Sequence, residues 1–284
     1  MIDLKHIRAL PPQLRFRYFI GVRERARYHK ELIGGPGPHS DDPIIAVNRF
    51  CNVNREHDTV TKWVKKHVRD RWSERPRRYL LIQVLVARLW NHPPTLEELL
   101  PYTSYELALA VLRGLRSRGE RTMRGAYMMP VHGNHGKGKT VDEYYLQAVR
   151  EASKMHWYAL DELAEVAAQL TTILGIGDFI ANQICTDLRY TAAWRNAPDG
   201  GTFVLCGPGS RRGLDRYFSR EATGNLQQRV YVEQLLDIRE ELQVEQHPLA
   251  SVFDDPNNLA NAFCEWDKYE RVLHGEAARL RTYP

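Results

Sequence analysis

Apolar positions recur along this chain at helical spacing far more often than they alternate. Between Asn52 and about Asn91, DTVTKWVKKHV sets Val60, Trp63, Val64 and His67 near one face, and YLLIQVLVARLW is apolar enough for a core helix. TLEELL and TSYELALAVLRGLRSR predict two more helices, with Thr95 and Thr103 or Ser104 as N-caps. Another helix begins near Val141. ALDELAEVAAQLTTIL is amphipathic, DFIANQICTDLRY follows it at once, and VYVEQLLDIREEL and NLANAFCEWDKYERVL close the chain. TFVLC is one of few strand candidates, and it is short. The pattern predicts an all-α protein without internal repeats, a single helical unit over 1–284 with a basic N-terminal lobe, 1–140, and a hairpin-containing lobe, 141–284.

Composition narrows the class. With 43% hydrophobic and 26% charged residues in 284, the chain can bury a core and is not compositionally disordered. No run of eighteen apolar residues occurs and charge interrupts the N-terminus every few positions, so neither a membrane span nor a secretory signal is expected, and a cytoplasmic protein is. Cys51, Cys185, Cys206 and Cys264 stand singly with no CxxC pair, which predicts neither a metal site nor a disulfide framework. The net charge of +5 is unevenly placed. RFRYFIGVRERARYHK, TKWVKKHVRDRWSERPRRY, RGLRSRGERTMR and GPGSRRGLDRYFSR interleave arginine and lysine with aromatic rings. Guanidinium groups pair phosphate bidentately and stack on rings, so nucleic acid is the leading partner, with solvated helix faces as the alternative.

VHGNHGKGKT, residues 131–140, carries the letters of a phosphate-binding P-loop. That motif needs a strand before it, a helix after it and a parallel sheet with an acidic residue to hold magnesium; nothing downstream alternates strand and helix. No nucleotide cofactor is expected, and magnesium is left open. Lys137 and Lys139 remain candidates for a DNA-backbone contact.

LTTILGIGDFIANQICTDLRY, residues 170–190, is two helices joined at Leu174-Gly175-Ile176-Gly177. Gly175 and Gly177 allow a tight turn, and the second helix start presents amides to a DNA phosphate, although Asp178 can cap those amides. The stretch resembles the hairpin of helix-hairpin-helix DNA glycosylases, which implies two helical lobes around a DNA-binding cleft. Where those enzymes carry a catalytic aspartate downstream, this chain reads Cys206-Gly207-Pro208-Gly209, and its hairpin has no lysine.

Three boxes extend the resemblance. RFCNVNREHDTVT (49–61), the hairpin joined to CGPGSRRGL (175–213), and NAFCEWDKYERV (261–272) are similar to the phage alpha-glutamyl/putrescinyl-thymine pyrophosphorylases and the related helical domain of hydroxymethyluracil DNA kinases. The kinases carry a separate nucleotide-binding domain, for which a chain of this length leaves no room, so the pyrophosphorylase branch is expected. The resemblance implies double-stranded DNA with a modified thymine as one substrate and an amino acid or polyamine as the other, in host cytoplasm for a phage-encoded chain. The amine would displace pyrophosphate from the 5-methylene carbon of the base.

Such chemistry needs cations and N–H donors where charge grows on the leaving oxygen, and a carboxylate to take the amine's proton. Arg55, Arg211, Arg212 and the turn Gly207-Pro208-Gly209 are candidates for the first task. Asp187, Glu265 and Asp267 qualify for the second, as does Asp58, which is also placed with the substrate-binding set. Lys268 is a candidate for phosphate or substrate carboxylate, Tyr269 for stacking on a base, and Asn52, Asn54 and Gln183 for recognition of a base edge or amide. Against this, Asn52, Asp58 and Thr61 could cap a helix, and Glu265, Asp267 and Lys268 could form a solvated face. A DNA glycosylase with displaced catalytic residues and a non-catalytic DNA-binding module are the alternative functions.

Overall fold

Side-chain caps or an early proline start several helices of the computed structural model, which describes residues 2–34, 39–123, 140–276 and 281–282. Asp3 caps α1 (Leu4–Ala9), and Pro12 opens the long α2 (Pro12–Ile33), which Gly34 ends at φ 68°. Asp42 caps α3 (Pro43–Val47) at the amides of Ile44 and Ile45, both at 2.9 Å. β1 (Asn48–Arg49) and a 3-10 turn, Arg55–His57, precede α4 (Thr59–Val64). A π-helical turn, Lys65–Arg69, joins α4 to α5 (Asp70–Trp72). Then come α6 (Arg77–Trp90), α7 (Pro93–Leu99), α8 (Tyr105–Ser117) and α9 (Val141–Lys154). The chain continues through α10 (Leu163–Thr171), α11 (Asp178–Leu188), α12 (Pro208–Tyr217), α13 (Gln228–Val244), a 3-10 segment Ala250–Asp254, α14 (Pro256–Leu273) and β2 (Arg281–Thr282). β1 and β2 pair antiparallel with Asn48 opposite Thr282, and the described residues are otherwise helix and loop. No described helix is long and apolar enough to cross a membrane.

The predicted helices are present with local differences. Ser104 caps α8 through the Leu107 amide, and α9 begins at Val141 behind a Thr140–Glu143 capping box. Thr95 does not cap: Pro93 takes the first helical position of α7, His92 is the N-cap, and Thr95 is buried inside the helix. TFVLC forms no strand, because no described strand lies beside it to satisfy its backbone. The face predicted for α4 divides. Val64 and Val68 are fully buried, whereas Trp63 and His67 stack on each other at 4.6 Å and stay half-buried.

Two compact units result: a terminal unit of Met1–Asp58 with Val204–Pro284, and an inserted unit of Thr59–Phe203. Their bounds differ from lobes 1–140 and 141–284, since the first helices fold against the last ones and no local pattern carries that pairing.

In the terminal unit, α2 packs on α14 through Phe16, stacked on Phe263 at 4.2 Å and edge-on to Tyr217 and Trp266. Each such aromatic pair contributes about 0.5–1.5 kcal/mol beyond its buried area. α12 lies so close to α14 that a Cβ at Gly213 would overlap the Phe263 carbonyl oxygen, which is why glycine stands there. Asp42, fully buried, accepts from the Tyr269 hydroxyl at 2.8 Å and the Tyr18 hydroxyl at 2.9 Å, tying α3 to α14 and α2.

In the inserted unit, α6 is buried on all sides from Leu80 to Trp90. α10 and α11 form the predicted hairpin with Ile176 buried in its turn. Gly175 sits at φ 90°, and a Cβ there would come within 2.7 Å of the Tyr144 hydroxyl, so both backbone and space require glycine. α11 starts at Gly177 with no side-chain cap and Asp178 in its first turn.

Candidate functional site

α14 is buried over most of its surface, but Asn261, Cys264 and Lys268 are only half-buried, and together with Glu265 they fall at helical spacings of three, four and seven residues. They form one stripe. The loop Cys51–Asp58 lies along it. The Cys51 amide donates to Glu265 Oε2 at 3.2 Å, the Asn261 side chain donates to the Asn52 carbonyl at 3.0 Å, and the Arg55 amide donates to Asn258 Oδ1 at 3.0 Å. Within the loop, Asn54 caps the 3-10 turn at the Glu56 amide, and Asn52 donates to Asp58 Oδ1 through its side chain at 2.9 Å and its backbone at 3.3 Å. The start of α12 also meets the stripe. A Cβ at Gly209 would overlap Cys264 Sγ, so the Gly207-Pro208-Gly209 turn rests directly on the stripe.

Charge in this cluster is arranged unequally. Lys268 Nζ donates to Glu265 Oε1 at 2.5 Å; burial is the strongest single influence and opposes the ammonium charge, but the charge and hydrogen bond of Glu265 together with the nearby Cys264 and Cys51 sulfurs hold Lys268 above its ordinary value. Burial raises the Asp58 carboxyl, with the Asn52 hydrogen bonds and nearby Arg55 pulling the other way. Both Asn52 donors go to Oδ1, and among the described residues Oδ2 has no donor. Glu265 differs, since each of its oxygens accepts a bond. The field of Glu265 pushes the exposed Cys51 thiol up, and burial pushes the Cys264 thiol up to about 11. Gly207, the N-cap of α12, offers no side chain to the first-turn amides, and with Pro208 lacking an N–H, only Gly209 and Ser210 supply amides there without a side-chain cap.

The turn's contact with Cys264 gives a direct check. Gly209→Ala is expected to cost about 1–3 kcal/mol by overpacking. Adding Cys264→Ala to the same chain should recover most of that loss in urea denaturation, because the colliding sulfur is gone.

The other sequence candidates lie elsewhere. Asp267 is fully buried, its Oδ2 bonded by Arg212 Nε at 3.0 Å and its Oδ1 by Arg216 Nε at 3.0 Å. Both oxygens are taken, so it anchors α12 to α14 and is not placed to accept a proton. Arg212 is thereby turned to Asp267. Arg211 reaches back to the Cys206 carbonyl at 2.8 Å and to Gln228 Oε1 at 2.7 Å, over the Tyr231 ring. Neither arginine joins the stripe. Tyr269 does not stack on a ligand, being fully buried on Asp42.

Asp187, Gln183, Gly175 and Gly177 belong to the inserted unit. Asp187 is completely buried there, paired with Arg88 through both oxygens and with Arg69 Nη1 at 3.4 Å. Gln183 is nearly buried in α11. Lys137 and Lys139 lie outside the described residues. Sequence reasoning did not single out Cys51, Cys264, Asn258 and Asn261. The available signal was a polar stripe at helical spacing inside the largely apolar NNLANAFCEWDKY.

A family model described as the helical domain of 5-hmdU DNA kinase matches residues 13–279, which take in the whole stripe, its loop and the α12 turn. The chain belongs to this family. A 5-hmdU DNA kinase of Bacillus phage SP10 is 26% identical over 239 residues, 74% of this chain and 36% of that protein. The chain thus spans little more than a third of the length of the curated relative it matches. No solved structure matches the chain. The three boxes read from the sequence therefore lie within the matched region, where the first, the α12 turn and the third meet in one unit.

Proposed function

We propose that this protein modifies thymine-derived bases in DNA, and that its terminal unit carries out the displacement of pyrophosphate from 5-pyrophosphoryloxymethyl-uracil by an amine. The observation that carries this reading is that the Cys51–Asp58 loop and the α12 start both rest on the α14 stripe, and that in this loop Asp58 keeps an oxygen without a donor among the described residues. The amine nitrogen attacks the 5-methylene carbon, the C–O bond breaks, and pyrophosphate leaves with the bonding pair. Asp58 Oδ2 takes the proton that the nitrogen loses. Lys268 and the first-turn amides of α12 stabilise the charge growing on the leaving oxygen, and Arg55 holds positive charge beside Asp58. Asn261 and Asn52 set the loop on the helix, so these groups are held before substrate arrives. The hairpin in the inserted unit is similar to that of DNA glycosylases, which supports DNA as the carrier of the base and extrusion of that base from the stack.

The test is nucleoside mass spectrometry on duplex DNA carrying pyrophosphorylated 5-hydroxymethyl-uracil, incubated with pooled amino acids and polyamines. Loss of pyrophosphate with gain of one amine mass on the base is expected. Retention of pyrophosphate with every amine overturns the reading, and release of free base replaces it with a glycosylase.

A further inference from the structure

We propose that the face formed by Lys62, Lys65 and Lys66, on α4 and the π turn after it, is a docking surface for the phosphate backbone of duplex DNA. The three lysines are three and four residues apart, so they share one side of the helix, and all are exposed. None forms an ion pair or hydrogen bond with a described residue. Elsewhere many arginines are neutralised: Arg15 by Glu270, Arg212 and Arg216 by Asp267, Arg220 by Asp215, Arg116 by Asp142. The exposed acids that follow, Asp70 and Glu74, make no ion pair with the lysines. This face therefore carries uncompensated positive charge, which polyphosphate complements.

In an uninterrupted α-helix Arg69, three residues past Lys66 and four past Lys65, would continue the same exposed stripe. The wider turn carries it inward instead, where it is almost fully buried, lies 3.4 Å from Asp187 and stacks over the Tyr190 ring at 5.0 Å. One side of the turn is thus pinned to α11 and the other presents only lysine. The stacked Trp63 and His67 rings neighbour these lysines along the helix. Lysine is a hydrated point charge without bidentate geometry, so such a face holds phosphates irrespective of base sequence. This surface does not depend on the chemistry proposed for the terminal unit.

The test compares the full chain with its Lys62→Gln/Lys65→Gln/Lys66→Gln variant for binding of an unmodified duplex over a salt series. A control variant, Lys5→Gln/Lys154→Gln/Arg229→Gln, removes the same net charge from other exposed positions. Since each neutralised phosphate contributes a slope of about 0.9 in log K against log salt, the first variant is expected to lose roughly 2–3 units of slope, and the control less than about one. An unchanged slope in the first variant, or equal losses in both, overturns the proposal. Thermal melting of each variant establishes that the fold is kept, as surface substitutions of this kind usually change stability by less than about 0.5 kcal/mol.

Discussion

Asp58→Asn is expected to lower kcat for amine transfer by about 10²–10⁴-fold, the usual worth of a positioned general base, with DNA affinity nearly unchanged. Four carboxylates were candidates for that role, and hydrogen bonding separates them. Asp267 and Asp187 spend both oxygens on arginines, and Glu265 spends its two on Lys268 and the Cys51 amide. Asp58 alone among them keeps an oxygen without a described donor. Its raised carboxyl also brings its basicity closer to the working pH. The rate should accordingly rise with pH through a limb lying above the ordinary aspartate value of about 3.9, and the variant should lack that limb.

The sign of the linked stability effect separates lost chemistry from lost fold. A carboxyl raised in the folded state contributes stability below its unfolded value, and the contribution is lost as pH rises through the folded one. At neutral pH the asparagine variant should therefore be at least as stable as the parent, its side-chain oxygen still able to accept from Asn52. An inactive variant that is also unfolded, or an active one, would remove Asp58 from the base role.

Asp187→Ala should act on the other unit and in the other way, destabilising it by about 3–5 kcal/mol. Removing one partner of a buried ion cluster strips its neighbours of a countercharge, and here Arg88 and Arg69 are both almost fully buried. This cluster also joins α6 and the π turn to α11, so the loss should appear in urea denaturation as a lower midpoint. Asp187→Asn tests the same assignment more gently. If it kept parental stability yet abolished amine transfer, Asp187 would return to the chemistry, because a purely structural carboxylate cannot fail in that pattern.

How far the site could be read beforehand depends on the kind of signal each part leaves. The α12 start and the α14 box were legible as short motifs, since Gly207-Pro208-Gly209 and Cys264-Glu265-Trp266-Asp267-Lys268 keep their residues adjacent. The division of labour inside the last box was not. Glu265 and Lys268 lie on the open stripe while Asp267, between them in sequence, points at Arg212 and Arg216. Adjacent residues on a helix are about 100° apart in projection, so contiguity gives no common direction. Arg211 and Arg212 show the same limit, turning to Gln228 and to Asp267.

What the chain determined by itself was the local structure: helical periodicity placed α6, α10, α11 and α14, Ser104 and Thr140 capped what they precede, and Gly175 marked a turn open only to glycine. Each of these depends on residues a few positions apart, where propensity and side-chain spacing act. Only the tertiary structure decided that Met1–Asp58 joins Val204–Pro284 in one unit, that Asp58 keeps an oxygen without a donor among the described residues, and that Asp187 pairs with Arg88 and Arg69. Those outcomes rest on packing and charge pairing between segments far apart in sequence, whose energies exist only once the chain has folded.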